Sequence, residues 1–408
     1  MTQISRIIFV LLLFALAITG LFFIYSTGYI GSEYPVRPNW IRQGFFLIAG
    51  FTLAAFAAQW DNRSWSWRLA VFAGYGITVL LLLLVLVAGK EIGGARRWIV
   101  LGPFLLQPAE FAKIFTIMAA SLILSGEVIK GRLMQFFAAL GIVAVPVLLV
   151  MLEPSYGNAA SMIPCLLVML GATYLPAWLF RSLTVLFVAA VLLVGAGVCY
   201  VRTLPQERSA EIAEAISPDI LRSYHKRRIA SFLSSDGGWN ERQSVMAVSG
   251  GGITGKGYLD GTMKNLGFLP RTVAPTDFIF AVIAEEGGFL FGVLPVVLLY
   301  CALLCILLHW AAHAASRLNL NLILSGCVLL SIHIFIGIGM TVRMIPVIGL
   351  PLPLLSYGGS FTMAMLILLG TMAGASRRCD GDNQENPEKK STVFSLGRFL
   401  KIKISDIS

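Results

Sequence analysis

The chain carries about ten apolar runs, each long enough to cross a bilayer. They fall near 7–26, 41–60, 69–88, 108–125, 133–152, 158–178, 180–201, 278–308, 319–342 and 352–375. In lipid every backbone N–H and C=O must find a partner within the protein, so runs of this kind specify helices. Mean hydropathy of +0.81 with only 13% charged residues excludes an ordinary soluble domain. The 278–308 run exceeds one perpendicular crossing and predicts a tilted or extended helix. The reading is an all-α polytopic membrane protein of about ten transmembrane helices in one domain, residues 1–376, with a large extracytoplasmic loop at about 202–277. Residues 377–408 form a tail, whose Asp380–Lys390 stretch is polar enough to predict disorder.

An even number of crossings puts both termini on one side. Arg63, Arg68, Lys130, Arg132, Arg181 and Arg317 fall in loops on that side, as do Arg377, Arg378, Lys389, Lys390, Arg398, Lys401 and Lys403. The positive-inside rule makes both termini cytoplasmic. Lys90, Arg96 and Arg97 break the bias, which suits a cluster that holds an anion. Ala15-Leu16-Ala17 resembles a signal-peptide cleavage site, but apolar residues continue to Ile24, which favours an uncleaved anchor. Cys301 and Cys305 lie one turn apart, and the other cysteines are scattered, so neither a disulfide framework nor a zinc site is expected. His309 and His313 share a helix face on the cytoplasmic side and read as a solvated face. No nucleic-acid partner is expected.

The junction from Phe268 to Gly292 passes from a polar loop into an apolar helix. A carboxylate at the lip of a span is expensive to keep, so Asp277 needs a reason. Asp277, Ala281 and Glu285 are spaced to share one helix face. Glu286 reads as a structural hydrogen-bond partner. Glu110 and Lys113 stand at i and i+3, which serves either self-neutralisation or substrate contact. Ser356-Tyr357-Gly358-Gly359-Ser360 interrupts the last run with small polar residues, which suits close helix packing. The glycine-rich Ser249–Gly261 lacks the spacing of a phosphate loop. It reads as a hinge or as a loop that lets substrate approach the backbone. An amphipathic helix near 206–216 and a basic run at Lys226–Arg228 complete the external segment.

Four blocks resemble the SEDS family of membrane proteins, the group containing RodA, FtsW and SpoVE. Gly94-Ala95-Arg96-Arg97-Trp98 with Gln107–Lys113 is the first. The others are Ser249–Pro270, Thr276–Gly288 and Pro346–Ser360. Together they span most of the chain in the family's order, and Gly255–Thr262 with Phe268-Leu269-Pro270 leans toward the RodA, or elongation, branch. There are departures. Glu153–Ala159 stands where the family usually reads QPDLGTA, so Ser155 replaces an acid. The loop before Thr276 has an apparent extra residue, and Gly337 and Arg343 replace a usual Asn and Gly.

The resemblance implies a peptidoglycan glycosyltransferase that polymerises lipid II at the outer face of the bacterial cytoplasmic membrane during elongation. It places the catalytic acid at Asp277. It also implies a class B penicillin-binding protein as partner, within the elongation machinery. On chemical grounds Arg96, Arg97 and Lys113 are candidate holders of the donor pyrophosphate. Gln107, Glu110, Glu285, Ser356 and Tyr357 are carried as further substrate contacts. The motifs demand no cofactor, although a divalent cation is a possible companion of the pyrophosphate, and no metal ligands are assigned. The rival readings are a lipid II flippase, a scaffold without chemistry, and a division-type polymerase.

Overall fold

The structure, a computed structural model, describes residues 3–29, 38–92, 95–102, 104–216, 230–234, 238–377, 391–396 and 400–405. Gly94, Lys226–Arg228, Arg378, Asp380–Lys390 and Arg398, singled out above, lie outside them.

The apolar runs fold as helices. In chain order these are α1 Gln3–Gly28, α2 Asn39–Gln59, α3 Trp65–Ala88, α4 Pro108–Leu124, α5 Arg132–Leu152, α6 Tyr156–Tyr174 and α7 Ala177–Arg202. The segment that follows α7 contributes α8 Gln206–Ile216, α9 Trp239–Gly251 and α10 Thr262–Asn265. After it come α11 Ile279–Gly287, α12 Leu294–Ala312, α13 Arg317–Thr341 and α14 Gly359–Arg377. Eight candidate spans among the described residues are long and apolar enough to cross a membrane, α11 and α12 counting as one. The α4 helix has 17 residues and is almost wholly buried, which makes it the central post of the bundle.

Polar side chains tie each end of the bundle together. At one end Arg6 donates to the Ser376 carbonyl at 3.4 Å, and Asn62 donates to Asn319 at 2.6 Å. Trp310 donates to the Ser5 hydroxyl at 3.3 Å. Both helical termini therefore share this end. The loops 89–107, 153–155, 252–278 and 343–358 gather at the other end, which carries the candidate site.

One expectation changes, and two elements are new. The 89–107 segment is not a plain loop: β1 Lys90–Ile92, β2 Ala95–Leu101 and β3 Phe104–Leu106 form an antiparallel sheet in the order β1-β2-β3. In the tail, β4 Ser391–Leu396 pairs with β5 Leu400–Ser405. The 278–308 run is not one tilted helix. It breaks after Gly287, with Gly288 at φ +65°, and passes through a π-helical turn, Gly288–Val293, before α12.

The glycine-rich loop explains that break. A broken helix leaves backbone groups without partners, and in lipid they must be satisfied. Lys256 and Gly257 N–H donate to the Glu285 and Glu286 carbonyls at 3.0 Å each, while Phe289 and Leu290 N–H donate to the Gly252 and Ile253 carbonyls at 2.9 Å each. Gly255 sits at φ +81°, and a Cβ there would overlap the Glu286 carbonyl oxygen. The loop is thus a docked surrogate for helical hydrogen bonds, rather than a free hinge.

Packing of α2 on α14 uses small residues. A Cβ at Gly370 would overlap the Ala54 carbonyl, so the two backbones meet closely, as membrane helices do where small residues face each other. Arg343 holds the left-handed backbone, φ +58°. Its guanidinium donates to the Ser234 carbonyl at 3.0 Å.

Candidate functional site

Asp277 lies in a turn, one residue before the N-cap Phe278 of α11. Its own N–H donates to the Val273 carbonyl at 3.0 Å. It is half-buried between fully buried Ala274 and Phe278. Because α11 starts only at Ile279, Asp277 does not continue the face of Ala281 and Glu285, contrary to the spacing argument. The helix N-terminus beside it favours a carboxylate.

The polar break before α14 positions this turn. The Ser356 hydroxyl donates to the Thr276 carbonyl at 2.6 Å and accepts from Leu352 N–H at 2.8 Å. Tyr357 N–H donates to the Pro275 carbonyl at 2.8 Å. Fully buried Gln43 on α2 then grips the same loop, donating to the Thr362 hydroxyl at 2.9 Å and accepting from Gly358 N–H at 3.1 Å. Ser356 is 1% exposed, so it positions Thr276 and Asp277 rather than offering its side chain to a ligand.

A second polar group lies between α4, α6 and α13. Lys113 Nζ is 2.9 Å from Glu110 Oε2, donates to Asn158 Oδ1 at 3.0 Å, and meets His333 Nε2 at 3.2 Å. His333 Nδ1 is 3.2 Å from the Pro351 carbonyl, which can only accept. The ring proton therefore belongs on Nδ1, and Nε2 accepts from the ammonium. An ammonium has three donors, and all three are engaged. Asn158 also donates to Glu110 Oε1 at 3.1 Å and closes the ring. Lys113 is 1% exposed, so it does not present a charge to a pyrophosphate in this conformation. The i,i+3 pairing of Glu110 and Lys113 is present, inside a larger buried network.

Above this network is a cavity of about 310 Å³. Arg97, Gln107, Ser155, Asn158 and Ile348 are among its walls. Arg97 Nε donates to the Glu153 carbonyl at 3.3 Å, and Nη2 donates to the Pro154 carbonyl. Gln107 N–H donates to the Ser360 hydroxyl at 3.1 Å, which leaves the Gln107 side chain to line the cavity. Arg96 stands apart. It is exposed on the β1–β2 hairpin, 3.7 Å from Glu91.

Glu285 and Glu286 are buried and are not among the walls of that cavity. Glu285 is 1% exposed, paired with Lys256 at 2.7 Å, and accepts from Met263 N–H at 3.0 Å. Glu286 pairs with Lys264 at 2.6 Å and accepts from the Ser26 hydroxyl at 2.6 Å and Leu259 N–H at 3.2 Å. Both clamp the glycine-rich loop onto α11. Burial pulls the Lys264 ammonium below its usual range, and Glu286 opposes that. Glu153, just past α5, is fully buried; burial pushes its carboxyl up to about 8, against the pull of Arg97.

Sequence reasoning missed His333 and gave Asn158 no role. His333 is a single imidazole in an apolar helix, and only the partner at Lys113 gives it meaning.

These features define a polytopic helical membrane protein with a buried acid–base network beneath an open end. The chain belongs to the FtsW/RodA/SpoVE family: the model of that family, described as cell cycle protein, matches residues 6–380. It is 30% identical over 428 residues to the peptidoglycan glycosyltransferase RodA of Treponema pallidum, covering 91% of this chain and 97% of that one. It is 32% identical over 302 residues to the peptidoglycan glycosyltransferase MrdB of Escherichia coli, covering 72% and 74%. An FtsW of Coxiella burnetii, a probable peptidoglycan glycosyltransferase by description, is 30% identical, covering 86% and 91%. Among solved structures, a chain of a peptidoglycan synthase complex that coordinates polymerization and crosslinking matches with TM-score 0.66 and 28% identity, covering 91% and 97%. The rod shape determining protein RodA of Thermus thermophilus matches with TM-score 0.61 and 26% identity, covering 91% and 96%.

Proposed function

We propose that this chain polymerises lipid II with Asp277 as the general base, at the end of the bundle opposite its termini. The chain is a peptidoglycan glycosyltransferase of the elongation type, as its relatives are named. The observation that supports the residue assignment is the anchoring of Thr276 by Ser356, which fixes the backbone beside a half-buried acid at a helix start.

The chemistry is one displacement. A sugar hydroxyl of the acceptor attacks the anomeric carbon of the donor, and the bond from that carbon to the lipid pyrophosphate breaks. The hydroxyl proton passes to Asp277, and the pyrophosphate leaves on its lipid. General-base assistance of this kind contributes on the order of 10²–10⁴ in rate. One base and no covalent intermediate imply inversion, as in glycosidases that work by a single step. The Glu110–Lys113–Asn158–His333 network serves as a rigid floor, and Arg97 as part of the cavity wall.

The orientation that suits this chemistry has both termini in the cytoplasm and the site outside, where the donor arrives already activated on its lipid. The partner is a class B penicillin-binding protein that crosslinks the strands, in keeping with the related chain in a synthase complex. A polymerisation assay with labelled lipid II, with and without that partner, tests the reading. Glycan strands from the purified chain or the complex support it. Their absence from both, with the protein folded, contradicts it.

A further inference from the structure

The two cations assigned to a pyrophosphate on sequence grounds serve other groups. Lys113 has no donor left over, and Arg97 donates to backbone carbonyls. A leaving pyrophosphate still needs cations near the reacting carbon.

A second cavity, of about 460 Å³, is walled in part by Thr276, the residue before Asp277. Asn39, Arg42, Arg271, Thr272, Thr276 and Tyr357 are among its walls, and no carboxylate lines it. Both arginines are exposed, and among the described residues no carboxylate forms an ion pair with either. The α2 helix begins at Asn39, so its positive end faces the same space. The placement is rigid. Gln43, the neighbour of Arg42, is bonded to Gly358, and Ser356 in that same loop is bonded to Thr276. Arg42 and the turn of Asp277 are therefore held in fixed relation.

We infer that Arg42 and Arg271 form a subsite for a lipid-borne phosphoryl group, the pyrophosphate of the polyisoprenyl donor. Two planar guanidinium forks suit phosphate oxygens, which accept two hydrogen bonds side by side. The inference rests on the proposed polymerase reading for its purpose, while the binding itself needs only the cavity and the two charges.

The test uses the full-length protein in nanodiscs, with undecaprenyl pyrophosphate, undecaprenol and phosphatidylglycerol as separate probes. Arg42→Gln and Arg271→Gln, each with an unchanged apo melting temperature, should weaken undecaprenyl pyrophosphate binding by about tenfold each. Undecaprenol binding should not change, and the wild-type affinity for the pyrophosphate should fall with salt more steeply than that of the double variant. Equal losses for undecaprenol and its pyrophosphate would overturn the subsite. So would losses confined to phosphatidylglycerol, which would make the pair a bilayer headgroup contact. Asp277→Asn should bind undecaprenyl pyrophosphate normally. If that variant also polymerises normally, the catalytic reading fails and the anion subsite stands.

Discussion

The Ser356 hydroxyl donates to the carbonyl of Thr276, 2.6 Å away and 80 residues earlier in the chain. One bond thus joins the polar break before α14 to the residue preceding Asp277. Ser356→Ala removes the partner of that carbonyl and of Leu352 N–H. Leaving buried groups unsatisfied costs about 1–3 kcal/mol. We predict a lower melting temperature and a fall in kcat larger than any change in KM, measured with labelled lipid II. A KM effect alone would make Ser356 a substrate contact.

The buried pair of Glu110 and Lys113 predicts non-additivity. Lys113→Met strands a buried carboxylate and should cost about 3–5 kcal/mol. Adding Glu110→Gln to that variant should recover part of the loss, because the stranded charge disappears. Denaturation of the two singles and the double, as a cycle, reads the coupling. Additive losses would show that the pair does not act as a unit.

Glu153 predicts a pH dependence. Burial raises its carboxyl from the ordinary value of about 4.5 to about 8, so the folded state holds the proton more tightly than the unfolded one. Stability from this group is full below about 4.5 and is lost as pH rises to about 8. Glu153→Gln should therefore raise the melting temperature at pH 8 and leave it nearly unchanged at pH 4.5. Equal gains at both values would assign the effect to packing instead.

Sidedness is open to labelling. In a variant with the six native cysteines replaced, Leu266→Cys and Trp65→Cys place probes at positions 62% and 78% exposed, at opposite ends. An impermeant thiol reagent added to intact cells should modify the first and spare the second. The reverse would invert the orientation.

The bundle was legible because lipid forces long apolar runs into helices. The break at Gly287–Gly288 was hidden in a run that stays apolar throughout. Only the docking of residues 252–257 shows where its backbone partners come from. The i,i+3 spacing gave the Glu110–Lys113 pair, but not which acids face a ligand. Glu285 looked available from its place on a helix face, whereas the loop cations Lys256 and Lys264 neutralise it and Glu286. Pairings between residues far apart in the chain, such as Lys113 with His333, leave no periodic trace.

The central claim, that Asp277 is the base, is tested most directly by single-turnover polymerisation with Asp277→Asn. Asn keeps the side-chain volume and is well tolerated at helix starts, so folding and partner binding should survive. Strand synthesis should fall by about 10²–10⁴. A folded, partner-bound Asn variant that makes glycan strands at the wild-type rate would contradict the account.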